Sequence, residues 1–311
     1  MKHYIIPLMV GSLLLNGIFI AFLFLSKPDT PLHGNADYPF LSKRIFSENQ
    51  NDILINFTDL RSQLQTYISS LPVKTGVYFE YLPSGTSIGL NEKERFIPAS
   101  LVKVPIVMAI YKKIESGKLR KNDMVALEDR FKDKTSGSLW ERPSGSQIAI
   151  QDAINMTLDD SDNTAKNILL SKLTRTEVSF VFDALDISLN DQNEEESTIA
   201  PKNYSSILRS LYLSSYLTRI HSNEILELLS QSNDDLRIRA GIPNGVIVAS
   251  KFGISYGVSK DESVYSDCGI IYVPSRPFLL CIMIKGSESR AYSIMQEIAN
   301  RTYSYVVRYQ L

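Results

Sequence analysis

Cysteine and histidine are the scarcest reactive residues in this chain of 311. The two cysteines, Cys268 and Cys281, are too few for a disulfide framework. The three histidines, His3, His33 and His221, lie far apart, which argues against a histidine-based triad or a zinc cluster. No metal and no cofactor is expected. An excess of one charge is missing as well: the net charge of −1 gives no reason to expect nucleic acid or an anionic membrane surface as a partner. Composition is otherwise ordinary for a globular protein, at 44% hydrophobic and 22% charged residues. The length suffices for one large core or two modest ones.

Long apolar runs are equally rare, with one exception. Tyr4 to Leu25 is uncharged and mostly apolar over 22 residues, enough to span a bilayer as a helix. It runs into Ser26-Lys27-Pro28 without an Ala-x-Ala-like cleavage site, so residues 1–25 are expected to be a retained anchor rather than a cleaved signal. With so short an N-terminus the large domain is expected to cross, giving a single-pass protein of a bacterial cytoplasmic membrane with its domain outside. Residues 26–50 are polar and carry Pro28, Pro31 and Pro39, which reads as a tether. The folded domain is expected over 51–311.

Within that domain, Ile53, Phe57, Leu60, Leu64 and Ile68 recur at helical spacing. Gly76 to Leu82 and Thr86 to Asn91 read as two strands about the turn Pro83-Ser84-Gly85. The middle of the chain is mostly helical, broken by the acidic stretch Asn190 to Ser197. After Gly245 the period becomes that of strands: Val246–Ser255, Val264–Val273 and Phe278–Lys285. A hairpin at Pro274-Ser275-Arg276-Pro277 sets Ile270 opposite Cys281, with Cys268 as its diagonal neighbour; two buried thiols are expected. A final helix runs from about Glu288 to Tyr309. Strands near both ends with helices between them predict an α+β protein. Its antiparallel sheet is covered by the first and last helices, and an all-helical lobe faces it across a groove.

The stretch Pro98-Ala99-Ser100-Leu101-Val102-Lys103 opens an apolar helix. Residues at i and i+3 share a helix face, so the Ser100 hydroxyl and the Lys103 amine can meet. A desolvated lysine can take a serine's proton, and a helix N-terminus offers free N–H groups to an oxyanion. On its own the pattern reads more simply as a capping serine beside a solvated lysine.

Two later patterns alter that balance: Ser161-Asp162-Asn163 at a helix start and Lys251-Phe252-Gly253 within a strand. The order S-x-x-K, S-D-N, K-x-G resembles the penicillin-recognising serine enzymes, class A β-lactamases in particular. Phe96-Ile97-Pro98-Ala99-Ser100 and Ser161 through Leu170 extend the resemblance, which covers about residues 51–311. The literal Lys74-Thr75-Gly76 is set aside because it precedes Ser100. The resemblance implies a β-lactamase/transpeptidase-like fold, a monomer, and a small-molecule substrate that is a β-lactam or a peptidoglycan peptide. It also implies roles. Ser100 is acylated, Lys103 takes its proton, and Ser161 relays a proton to the leaving nitrogen. Asn163, Lys251, Gly253 and Ile254 bind substrate, with the backbone N–H groups of Ser100 and Ile254 as the oxyanion hole. Asp162 is expected to be structural.

Two departures bear on function. Phe252 occupies the position of a hydroxyl that helps hold the substrate carboxylate in the family. The acidic residue that activates the deacylating water has no clear counterpart; Glu194, Glu195 and Glu196 are the candidates nearest Pro201, with a solvated acidic loop as the simpler reading. Three readings therefore stand at this point: a membrane-anchored acyl-hydrolase of the β-lactamase type with slow deacylation, a penicillin-binding D,D-carboxypeptidase or transpeptidase, and a non-catalytic wall-binding or β-lactam-sensing ectodomain.

Overall fold

A computed structural model describes residues 40, 55–188, 197–232 and 235–308. The apolar run 4–25, the tether apart from Phe40, and Glu194, Glu195 and Glu196 lie outside the described residues. In chain order the elements are α1 (Thr58–Ser69), β1 (Lys74–Tyr81), β2 (Thr86–Leu90), a 3-10 turn at Ala99–Val102, α2 (Lys103–Glu115), β3 (Met124–Ala126), β4 (Gln147–Ala149), α3 (Ile150–Leu158), α4 (Asn163–Leu170), α5 (Arg175–Asp183), α6 (Pro201–Tyr212), α7 (Arg219–Gln231), β5 (Val248–Ser255), β6 (Val264–Ile271), β7 (Phe278–Lys285) and α8 (Glu288–Arg308).

The five long strands form one antiparallel sheet in the order β2-β1-β7-β6-β5, so the first hairpin joins the last one through β1 and β7. Side chains alternate across a strand. Val77, Phe79, Leu280 and Ile282 therefore point to one face, where they pack with Leu60 and Leu64 of α1 and Ile294, Met295 and Ile298 of α8. That core matches the expected layering. The short β3–β4 pair was not legible, since three-residue strands carry too little alternation to register.

The helical lobe forms around α2, whose residues from Lys103 to Tyr111 are all buried. A helix apolar on every side needs neighbours on every side. Pro105 is the third residue of α2, where its missing N–H would have had no partner within the helix.

The cysteines correct the sequence-based expectation. Cys268 lies directly opposite Cys281, not diagonal to it, because six residues (272–277) rather than four link the paired parts of the strands. The two sulfurs form a disulfide. In the same row, Lys251 of β5 lies opposite Cys268, and Tyr78 of β1 lies opposite Cys281. Directly opposed residues share a face, so the crosslink sits on the side of the sheet that carries Lys251. Among the described residues, no helix is long and apolar enough to cross a membrane.

The crosslink predicts that protein unfolded without reductant takes up no iodoacetamide, and that it takes up two equivalents after reduction. The closed loop is short, with a sequence separation of 13. Loss of the bond should lower unfolding stability by about 3 kcal/mol, measured by urea denaturation of a Cys268→Ala/Cys281→Ala variant.

Candidate active site

Ser100 lies in the 3-10 turn just ahead of α2, and the residue before it, Ala99, has a φ of +47°. A left-handed alanine is strained and persists only where its surroundings hold it. Here the turn is held from two sides. The Tyr204 hydroxyl of α6 donates to the Leu101 carbonyl at 3.2 Å. On the other side β5 presses against the turn at Gly253, where a Cβ would stand 2.6 Å from the Pro98 oxygen and 3.2 Å from the Ser100 nitrogen. Glycine is therefore required at 253 by close approach. The contact also brings the strand residue Ile254 up beside the Ser100 backbone.

One turn beyond Ser100, the Lys103 side chain is buried, with 1% of its surface exposed. Its Nζ donates to Ser100 Oγ at 3.2 Å and to Ser161 Oγ at 2.9 Å, and it also contacts the Ser161 carbonyl oxygen. Burial pushes Lys103 down to about 7 from the ordinary lysine range, with the charges of Lys251 and Lys166 adding to the effect and those of Asp162 and Asp133 opposing it. An amine so placed is about half neutral near pH 7, and the neutral form can receive a proton from either hydroxyl.

Ser161 also has a positive φ, +55°. Its carbonyl accepts the Ser136 hydroxyl at 2.9 Å. Asp162 is fully buried; Oδ1 caps α4 by accepting the Ala165 N–H and Oδ2 accepts the Leu139 N–H, both at 2.8 Å. It is structural, as expected, and ties α4 to the loop over 133–139. Asn163 opens α4, and its Nδ2 donates to the Thr135 hydroxyl at 2.7 Å.

Lys251 is buried on β5 in the same row as the disulfide. Phe252 follows it on the strand. Its ring centroid lies 3.8 Å from the Arg237 guanidinium carbon and 4.6 Å from Lys251 Nζ, so a ring stands where a hydroxyl was expected and two cations lie against it. Arg237 is 4% exposed and donates to the Tyr292 hydroxyl at 2.9 Å.

The structure thus joins Ser100, Lys103 and Ser161 through direct hydrogen bonds, with Asn163 on the next helix and Gly253 and Ile254 on the adjoining strand. Glu194, Glu195 and Glu196 fall outside the described residues. Sequence reasoning missed Thr135, Ser136 and Arg237. The first two belong to a loop without periodicity, and only their contacts with Asn163 and Ser161 single them out. Arg237 had no motif around it.

Comparison with known proteins bears on the family and the fold. The family model described as Beta-lactamase enzyme family matches residues 59–306. Beta-lactamase VEB-1 of Pseudomonas aeruginosa is 23% identical over 285 residues, covering 84% of this chain and 93% of its own. Among solved structures, a mutant of PBP-A captured as an acyl-enzyme complex with penicillin-G has a TM-score of 0.73 at 21% identity, covering 81% of this chain and 97% of its own. A beta-lactamase from Sphaerobacter thermophilus has a TM-score of 0.72 at 20% identity, covering 83% and 100%.

Two measurements check the site. The Lys103 Nζ resonance, followed by NMR with 15N-labelled lysine, should titrate near pH 7, and Lys251→Met should move its midpoint upward by removing a nearby cation. The folded form holds Lys103 below its unfolded value near 10.4, so this residue alone makes the protein more stable as pH rises from about 7 to about 10. Gly253→Ala should separate β5 from the Ser100 turn and reduce reaction at Ser100 by about 100-fold, read as the rate of covalent labelling.

Proposed function

The chain belongs to the beta-lactamase enzyme family and is a serine hydrolase of that kind; from that premise we propose that it forms an acyl-enzyme on Ser100 with β-lactams and with acyl-D-amino-acid peptides. The observation that carries this reading is the buried Lys103 amine held between the Ser100 and Ser161 hydroxyls.

The chemistry follows from the contacts. Ser100 Oγ attacks the carbonyl carbon while its proton passes to neutral Lys103 Nζ. The oxyanion lies against the Ser100 and Ile254 backbone N–H groups, each such donor being worth about 3–4 kcal/mol. The C–N bond then breaks, and the leaving nitrogen takes a proton from the Ser161 hydroxyl, which is replenished from Lys103. Asn163 steadies the acyl amide, and Lys251 supplies positive charge on the side where the substrate carboxylate enters. Water later cleaves the Ser100 ester and restores the free hydroxyl.

A second reading, slow turnover of the D,D-peptidase type, is favoured by one observation. Asp162 and Asp133, two carboxylates whose charges act on Lys103, are both committed to backbone donors. Neither is available to activate a water. General-base assistance typically contributes about 10²–10⁴-fold, and neither aspartate supplies it; where no other carboxylate does so, the ester accumulates.

Location is part of the same proposal. The apolar run 4–25 anchors the protein in the cytoplasmic membrane with the domain outside, and the Cys268–Cys281 disulfide supports an oxidising, extracytoplasmic setting.

A fluorescent penicillin should label the wild-type protein covalently, and Ser100→Ala should abolish the label; equal labelling of both would end the proposal. Decay of the label within seconds would mark an efficient β-lactamase, and persistence for hours the slow-turnover reading.

A further inference from the structure

Lys166 has no part in the chemistry above, yet its position gives it one. It lies on α4 three residues after Asn163, and residues so spaced share a helix face. Its side chain is half-buried. Its backbone N–H bonds to the Asp162 carbonyl at 3.2 Å, but its ammonium has no hydrogen-bond or ion-pair partner among the described residues.

The surroundings of that ammonium are partly set. Asn163 donates its Nδ2 to the Thr135 hydroxyl, and Asp133 turns Oδ1 to the Thr135 N–H and hydroxyl. Lys166 is close enough to both Lys103 and Asp133 for its charge to act on each. Asp133 offsets part of that charge without pairing with it. A half-desolvated cation therefore borders the Asn163 side of the cleft, where the acyl portion of a substrate lies in the functional reading above. Lys251, by contrast, serves the side of the leaving group.

We infer that Lys166 is a specificity-determining residue that selects acyl donors carrying a carboxylate on the acyl side chain. The inference rests on the proposed acylation of Ser100 and adds the class of acyl group to it. Attraction between a partly exposed ammonium and a carboxylate is modest, giving about a fivefold rate preference. It also weakens with salt.

Benzylpenicillin and carbenicillin provide the probe, because they differ by one carboxylate on the acyl side chain. Second-order rates of Ser100 acylation are measured for both on the full chain, by competition with fluorescent penicillin. Lys166 also acts on Lys103, but that effect is common to both compounds and cancels in the ratio of their rates. The carbenicillin-to-benzylpenicillin ratio should fall about fivefold in Lys166→Gln, fall further in Lys166→Glu, and hold in Lys166→Arg. In the wild type, which needs no substitution, the ratio should fall as salt rises from 0.05 to about 0.5 M. A ratio unmoved by Lys166→Gln, or insensitive to salt in the wild type, overturns the inference while leaving acylation at Ser100 intact. Failure of both penicillins to acylate the wild type would remove the functional reading, and this inference with it.

Discussion

A buried amine with too little opposing charge is the constraint on which the rest of the molecule depends. Lys103 can remain neutral near pH 7 only if it is kept out of water and close to other cations. Both conditions come from architecture. Burial comes from α2, packed on every side through its first nine residues. The nearby cations come from β5 and α4, elements that lie far from Lys103 in sequence. The two serine hydroxyls give the amine polar partners, so its burial does not leave a polar group unsatisfied.

Two strained residues, Ala99 and Ser161, stand one on each side of that amine, with φ values of +47° and +55°. Each is held by contacts outside its own turn: Tyr204 and Gly253 for the first, and Ser136 with the Asp162 hydrogen bonds for the second. Strain that is over-determined in this way fixes hydroxyl positions before any substrate arrives, which is what a preorganised site needs.

The fold was legible because its long elements repeat their pattern many times. α1 and α8 show one apolar stripe, and the five strands of the sheet were placed within a few residues. Order along the chain carried the site: Ser100, Lys103, Ser161, Asn163, Lys251, Gly253 and Ile254 were all named from short motifs. The failures have physical causes. The hairpin register was read from its two prolines, yet the loop takes six residues, and that shift of two turned diagonal cysteines into opposed ones. The ring at Phe252 was read as a lost hydroxyl, but its contact with Arg237 depends on a separate segment ahead of β5. Partners of that kind leave no periodicity to detect.

The order of the strands has a consequence for how the protein is made. β1 lies between β2 and β7, so a hairpin synthesised near the start must wait for a strand that emerges some two hundred residues later. Until then one edge of β1 is bare, and a bare edge invites pairing with the wrong chain. Sheets closed by such distant strands form slowly. Only once β7 has been made can this sheet be completed.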